Sequence, residues 1–193
     1  MPPGFLAAWR DQRRLRRSAA LYVQSLLEEP DQSDVRWLSE VATRGDVDRA
    51  RWELRYARRA SGLLSAERDA LDDRTASAVA REITEGWSKD RNIAAAMRQT
   101  AQQQFNVRLR ALGQALTARS SPEPTGTRLG KALLGAAGLA APAVSDVDRA
   151  GGIVVHYLER ANASLQREFG TATLPDNVPP SALNQGSGTS SRR

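Results

Sequence analysis

Apolar side chains recur at intervals of three and four residues along most of the chain, and this spacing places them on one face of an α-helix. The first such run covers residues 4–30, and Pro30 is expected to end it because proline lacks the N–H that a helix interior requires. Its inward-facing positions are Phe5, Ala8, Gln12, Leu15, Ala19, Tyr22 and Leu26. The pattern predicts a long amphipathic first helix.

Two further helices are predicted before residue 70. Residues 31–45 form a short helical pattern, with Ser33 or Asp34 as the expected N-cap and Gly45 as the expected end. The third helix is expected to start at Asp46 and is apolar on two sides. One stripe contains Val47, Ala50, Leu54, Ala57 and Leu64, and the other contains Trp52, Tyr56 and Leu63. A helix with two apolar sides is expected to lie between neighbouring helices.

The second half of the chain continues the helical pattern. Breaks are predicted at "LDDRT" (71–75) and "SKDRN" (88–92), and each is followed by a further helix. The segment "SSPEPTG" (120–126) is the clearest linker. After it, a helix of small residues is expected to close at Pro142, and a last helix is expected to extend to Phe169.

The pentapeptide "DVDRA" occurs twice, at residues 46–50 and 146–150. An aspartate at the N-cap, a second aspartate in the first turn, and alanine and arginine in the body are each favoured at the start of a helix. Convergence in a chain rich in arginine and alanine therefore explains the repeat better than duplication of a helix, which stays the alternative. Both pentapeptides are predicted to begin a helix.

Together these elements predict an all-α protein, a mostly antiparallel bundle of about six or seven helices. A single helical domain is expected over residues 1–170, with the linker near 120–126. Residues 171–193 contain proline, glycine and serine and few apolar side chains, so a flexible, disordered C-terminal tail is expected there.

Composition narrows the classes of function. Cysteine is absent from the 193 residues, which excludes disulfides, thiol nucleophiles and thiolate metal sites. The longest apolar run, residues 132–144, is shorter than the roughly 18 residues that suggest a membrane span. The N-terminus does not have the order of charged and apolar segments found in a secretory signal. A cytoplasmic location is expected, either free or at the periphery of a membrane.

Positive charge is unevenly distributed along the chain, whose net charge is +6. Residues 1–20 carry +4 and residues 91–131 carry +6. The first segment contains Arg10, Arg13, Arg14, Arg16 and Arg17, on the face away from the apolar positions. A solvated helix face is the simplest interpretation. Guanidinium groups also bind phosphates, and a basic helix can adsorb to anionic lipid while Phe5, Leu6 and Trp9 enter the interface. These five arginines are therefore candidates for contact with nucleic acid or an anionic membrane surface.

A second candidate surface lies on the third helix, where arginine and aromatic residues follow one another at spacings of three, four and three. It contains Arg49, Trp52, Tyr56 and Arg59. Such side chains are typical anchors of protein interfaces, so the four residues are candidates for binding a partner. The alternative is that another helix of the bundle covers the stripe and the arginines reach to its edge.

The sequence contains no recognisable catalytic, cofactor or metal signature. His156 is the only histidine, and it is expected to be partly exposed and without a catalytic role. An acidic cluster is interrupted by arginines, which favours helix capping and salt bridges over metal binding. The cluster contains Glu67, Asp69, Asp72 and Asp73. The segment "GTRLGKALL" (126–134) lacks both the spacing and the hydroxyl of a phosphate-binding loop.

The leading functional hypothesis is a non-enzymatic helical interaction protein, an adaptor or accessory subunit of a larger assembly. It predicts a protein partner and no cofactor or metal. One alternative is a nucleic-acid-binding protein that uses Arg-rich helical faces. The other is a peripheral membrane-surface protein that uses its basic N-terminal helix. Self-association is compatible with each.

Overall fold

The computed structural model describes residues 4–70, 72–90, 93–118 and 120–170, and for residues 4–8, 88 and 89 it describes the backbone alone. This part of the chain contains seven α-helices and no strand, which confirms the predicted all-α bundle. The helices are α1 (Gly4–Leu26), α2 (Gln32–Val41), α3 (Val47–Asp69), α4 (Asp73–Lys89), α5 (Arg98–Thr117), α6 (Thr125–Ala137) and α7 (Val144–Phe169), and a 3₁₀ turn (Ala95–Met97) precedes α5. The tail predicted over residues 171–193 lies outside the described residues.

Helix α3 is the centre of the bundle, and every other α-helix packs against it. This arrangement follows from its two apolar sides, and it confirms that α3 lies between neighbours. Small residues let the surrounding helices approach closely, and Ala50, Ala57, Ala60 and Ser61 are almost fully buried. The interior of the protein is therefore organised around one helix rather than around a single two-layer interface.

Neighbouring helices run mostly in opposite directions. The hydroxyl of Tyr22 on α1 donates a hydrogen bond to the carbonyl oxygen of Gly62 on α3 at 2.8 Å. Arg55, two turns earlier on α3, donates to the carboxylate of Glu29, which follows α1. Residue numbers therefore rise along α1 while they fall along the part of α3 beside it, so the two helices are antiparallel. The contacts between α5 and α6, and between α6 and α7, follow the same order.

Two helix ends near the N-terminus differ from the predicted ones. Helix α1 ends at Leu26 instead of continuing to Pro30. Arg58 of α3 donates hydrogen bonds to the carbonyl oxygens of Ser25 and Glu28, so a side chain from another helix satisfies groups that helix termination leaves open. The N-cap of α2 was predicted at Ser33 or Asp34, two or three residues too late: it is Asp31, whose carboxylate accepts from the backbone N–H of Ser33 at 2.7 Å.

Other helix ends follow the expected cap chemistry. Asp46 caps α3 by accepting from the backbone N–H of Arg49 at 2.9 Å, and Asp72 caps α4 in the same way. Helix α6 ends at Gly138, which has φ 107, so the prediction that Pro142 closes it is wrong. Glycine adopts this left-handed conformation without strain and ends the helix first.

The connection before α6 is short. Helix α6 begins at Thr125, inside the predicted linker of residues 120–126, and it packs against α5. With 13 residues, α6 is also the most apolar helix, and it buries small and aliphatic side chains against α7. Within the described residues, no helix combines the length and the hydropathy that crossing a bilayer requires.

Candidate functional site

The predicted partner stripe on α3 is only partly a surface. Tyr56 and Arg59 are buried, with 7% and 6% of the residue exposed, whereas Trp52 is half-buried and Arg49 is exposed. An exposed surface made of all four residues is therefore absent, and this part of the prediction is corrected. The reason is that α4 and α5 pack over this side of α3. The alternative interpretation, a stripe covered by other helices, describes Tyr56 and Arg59.

A row of aromatic rings connects α3, α4 and α5. Trp52 contacts Tyr56 with ring centres 5.6 Å apart, and Tyr56 contacts Trp87 at 5.8 Å. Trp87 then contacts Phe105 at 5.2 Å. Such ring pairs contribute beyond the burial of their area. The row explains why Tyr56 is buried: it is the link between Trp52 at the edge and Trp87 in the interior.

The arginines beside this row are neutralised within the protein. The guanidinium of Arg59 lies 4.3 Å from the centre of the Trp87 ring and donates to the carboxylate of Asp90 at 2.8 Å. Burial lowers the pKa of the Arg59 guanidinium, and the bond to Asp90 acts against that shift. Arg108 of α5 forms an ion pair with Glu53 of α3. These cations hold helices together and are not presented to a partner.

The five arginines predicted on the first helix lie in a different environment. We call Trp9, Arg10, Arg13, Arg14, Arg16 and Arg17 the N-terminal arginine face. All six residues are exposed, whereas Ala19, Tyr22 and Leu26 on the opposite side of α1 are buried. The side chains of Phe5 and Leu6, expected to accompany Trp9, lie outside the described residues.

The guanidinium groups of the N-terminal arginine face are not compensated. In the part of the chain that the structure describes, none of the five forms an ion pair or a hydrogen bond. Trp9 is 49% exposed, and the guanidinium of Arg13 lies 4.8 Å from the centre of its ring. Asp11 is the one acidic residue in the same segment, residues 9–17. The face therefore combines concentrated positive charge with an exposed aromatic ring on one helix.

The contrast between the two sets of arginines identifies the candidate site. Arg58 and Arg59 are buried and Arg108 is half-buried, and all three are engaged by carboxylates or carbonyl oxygens. The guanidinium groups of the N-terminal arginine face form no such bond within the described chain, so their N–H donors are available to an external acceptor. Sequence periodicity placed both sets on their helices, but the covering of α3 depends on residues more than 25 positions away.

The acidic residues at the junction of α3 and α4, and His156, have structural roles or are exposed. Asp72 caps α4, and the hydrogen bond from the backbone N–H of Thr75 lowers the pKa of its carboxyl group. Asp69 pairs with Arg68 at 2.7 Å. His156 is exposed on α7. Among the described residues, no group of three or more histidine, aspartate or glutamate side chains is placed to hold a metal ion.

Comparisons of the chain with models of protein families, with curated proteins and with solved structures find no match. Function is therefore inferred from the charge, exposure and geometry of the chain's own residues. The N-terminal arginine face is the surface on which that inference depends.

Proposed function

We propose that the protein is a non-enzymatic interaction protein, an adaptor or accessory subunit, which binds an acidic protein partner through the N-terminal arginine face. The observation that supports this proposal is the set of five exposed guanidinium groups with no carboxylate partner in the described chain. Arginine and tryptophan are also the residues most often found at the energetic centres of protein interfaces. Trp9 and Arg13, in contact with each other, are the expected anchors.

The helical setting favours binding. The helix fixes the backbone positions from which these side chains extend, so a partner does not have to order the backbone of this segment when it binds. The planar guanidinium group forms two parallel hydrogen bonds with a carboxylate, which gives geometric specificity as well as energy. Concentrated positive charge further accelerates the encounter with an acidic surface. A complementary surface is therefore expected to carry aspartate or glutamate residues around an apolar recess for Trp9.

Nucleic acid is the second candidate partner, because phosphates bind unpaired guanidinium groups by the same chemistry. The second basic segment, residues 91–131, gives this alternative less support than its charge of +6 suggests. Arg108 pairs with Glu53, and Lys131 pairs with Glu123. These two charges are compensated within the fold, while Arg110 of the same segment is exposed and stays available to phosphates beside the N-terminal arginine face.

Adsorption to an anionic membrane surface is the third alternative. Trp9 and the arginines around it match the amphipathic pattern of helices that lie at the bilayer interface. The further apolar side chains that this mode requires, Phe5 and Leu6, lie outside the described residues. Arg49 and Trp52 at the edge of α3 stay candidates for a second protein contact or for self-association.

The proposal is tested with a triple variant and a matched control. Arg10→Gln, Arg13→Gln and Arg17→Gln together remove three charges from the face. Arg36→Gln, Arg81→Gln and Arg110→Gln remove three equally exposed charges elsewhere on α2, α4 and α5. Both sets are exposed, so both triple variants are expected to unfold at the temperature of the wild type.

Partners are captured on immobilised protein after nuclease treatment, identified by quantitative mass spectrometry and then purified for titration. The expected result is an acidic protein whose affinity falls about tenfold or more in the α1 variant, since three exposed ion pairs contribute about 1.5 kcal/mol. The control variant is expected to bind like the wild type. An equal loss in both variants would overturn the proposal, because it would show non-specific attraction.

Two further measurements separate the alternatives. Fluorescence anisotropy with labelled DNA and RNA at two salt concentrations tests for a nucleic-acid partner, which predicts affinity that falls steeply with salt. Co-sedimentation with anionic and neutral vesicles tests for a membrane partner. Binding in either experiment that is lost in the α1 variant and kept in the control would replace the acidic protein with that partner.

A further inference from the structure

A small cavity of about 160 Å³ lies between the end of α1, the middle of α3 and the second half of α7. Three arginines line it, Arg58, Arg160 and Arg167, together with a single carboxylate, that of Glu28. Three larger grooves on the described surface each carry at least as many carboxylates as guanidinium groups. The excess of positive charge distinguishes this cavity from those grooves, and we call it the triple-arginine cavity.

Hydroxyl groups extend the polar lining of the triple-arginine cavity. The hydroxyl oxygens of Ser25 and Ser164 lie 2.9 Å apart, and Arg167 donates to Ser164 at 3.0 Å. Tyr157 also lines the cavity and is 6% exposed. Its hydroxyl is buried and has no hydrogen-bond partner among the described residues. The hydroxyl is therefore closed off from the cavity, and Tyr157 contributes its ring to the lining.

Arg58 is held in place independently of anything in the cavity. Its guanidinium donates to the carbonyl oxygens of Ser25 at 3.0 Å and Glu28 at 3.2 Å, and its side chain is 8% exposed. The ring of Tyr157 lies 5.8 Å from the same guanidinium. A charge fixed in this way loses little entropy when it binds an anion.

The carboxylate of Glu28 occupies the position between two of the guanidinium groups. It accepts from Arg58 at 2.6 Å and from Arg160 at 3.2 Å. Glu28 follows the end of α1, and its side chain is 53% exposed, so it can leave the cavity by rotating into water. The internal carboxylate therefore marks where a larger anion would bind.

We propose that the triple-arginine cavity binds a phosphate group, which replaces the Glu28 carboxylate between Arg58 and Arg160. Arg167, whose Nε donates to the carboxylate of Glu168 at 2.9 Å, provides a further donor through its terminal N–H groups. A phosphate with two negative charges matches three guanidinium groups better than a carboxylate does, and it has more acceptor oxygens. The volume of about 160 Å³ is below the usual range for drug-sized ligands, so the ligand is inorganic phosphate or a small phosphomonoester.

Isothermal titration with inorganic phosphate, at constant ionic strength maintained with chloride, tests this site. Glu28→Gln removes the competing carboxylate charge, so phosphate is expected to bind about tenfold more tightly than to the wild type. Arg160→Gln is expected to weaken binding about tenfold. Arg160 is exposed, so its replacement leaves the fold intact; Arg36→Gln, with the same charge change on α2, is expected to leave binding unchanged.

Tyr157→Phe provides a control on the lining of the cavity. It keeps the ring and removes a hydroxyl that the cavity does not reach, so it is expected to bind phosphate like the wild type and to unfold at the same or a higher temperature. Titration with glycerol phosphate compares a phosphomonoester with free phosphate: equal affinity would identify the phosphate group alone as the ligand, and tighter binding would identify the ester.

The proposal fails if phosphate gives no heat beyond that of chloride, or if Arg160→Gln and Arg36→Gln bind phosphate equally. The triple variant Arg10→Gln, Arg13→Gln, Arg17→Gln separates this site from the N-terminal arginine face. It is expected to bind phosphate like the wild type. Loss of phosphate binding in that variant would place the bound anion on α1 and overturn the assignment to the cavity.

Discussion

The guanidinium of Arg108 on α5 forms a two-point, hydrogen-bonded ion pair with the carboxylate of Glu53 on α3. The distances are 2.6 Å from Nη2 to Oε1 and 3.0 Å from Nε to Oε2, and the Glu53 side chain is 5% exposed. The bond to Glu53 raises the pKa of Arg108. This pair joins the central helix to a helix more than 40 residues later in the chain.

The first prediction concerns the loss of one partner of this pair. Replacing Arg108 with Met leaves the carboxylate of Glu53 buried without its cation, and we expect a loss of about 3 kcal/mol in the free energy of unfolding. Chemical denaturation followed by circular dichroism measures the change. The double variant Glu53→Met, Arg108→Met removes both charges and is expected to be more stable than Arg108→Met alone. Equal stability of the single and double variants would show that the carboxylate is not desolvated.

The second prediction concerns the three tyrosines, all of which are at least partly desolvated. Burial raises the pKa of Tyr157 from its ordinary value of 10.0 to about 12, and it raises the pKa of Tyr22 and Tyr56 as well. Since the folded state holds these protons more tightly, the associated stability is complete below pH 10 and is lost as the pH rises towards 12.

Absorbance at 295 nm between pH 9 and 12 measures tyrosinate directly. At pH 10 the folded protein is expected to be clearly less ionised than the same protein in denaturant, which should be roughly half ionised. A full equivalent of tyrosinate in the folded protein at pH 10 would contradict the burial of at least one ring. Tyr157→Phe is expected to reduce the loss of stability above pH 10.

The pattern of apolar positions predicted the helices, because helix formation depends on neighbours three and four residues apart. Asp46 as the cap of α3 and the two-sided character of that helix followed from this local information. The end of α1 could not be predicted from local information, because Arg58 of another helix satisfies its last carbonyl oxygens. A cap provided by a side chain of another helix cannot be predicted from the residues next to the helix end.

The candidate site shows the same limit. The sequence placed Arg13 and Arg59 on exposed or half-exposed faces by the same reasoning. Arg13 is exposed, but Arg59 is covered by Trp87 of α4. Periodicity gives the direction of a side chain on its own helix and does not give the helix that packs over it. Tyr157, which lines the triple-arginine cavity, lies on the buried face of α7. Nothing in the sequence around it indicates that its hydroxyl has no hydrogen-bond partner among the described residues.

The third prediction concerns a close approach of the backbones of α6 and α7. A Cβ atom on Gly130 would lie 2.1 Å from the carbonyl oxygen of Val147, and one on Gly151 would lie 2.3 Å from that of Gly126. These neighbours are backbone atoms, which cannot move aside without shifting a helix. Gly130→Ala and Gly151→Ala are each expected to reduce the free energy of unfolding by about 2 kcal/mol or more.

Two glycines in the same helices provide the control. Gly135 on α6 and Gly152 on α7 have no atom within 4 Å of a Cβ at their positions. Alanine has the higher helix propensity, so Gly135→Ala and Gly152→Ala are expected to stabilise the protein by about 0.5–1 kcal/mol each. Thermal unfolding of the four variants distinguishes the two effects. If Gly130→Ala were as stable as Gly135→Ala, the two helices would not be in backbone contact.

The fourth prediction concerns the two copies of "DVDRA", which the structure shows to be non-equivalent. Asp46 is the N-cap of α3, but the N-cap of α7 is Ala143, which places Asp146 in the first turn. The expectation that both pentapeptides begin a helix at their first residue is therefore wrong for the second. Gly45 has φ 86 and blocks an earlier start of α3, whereas α7 already begins at Val144.

Substitution of the two aspartates measures this difference. Asp46→Ala removes a hydrogen bond to the backbone N–H of Arg49 and is expected to cost about 1 kcal/mol of unfolding free energy. Asp146 contributes through the helix dipole, so Asp146→Ala is expected to cost about 0.3 kcal/mol. Because dipole interactions are screened by salt and the capping bond is not, denaturation in 1 M NaCl should abolish the effect at Asp146 and leave most of that at Asp46. Equal, salt-independent losses would indicate that both aspartates are caps and would favour duplication of the helix over convergence.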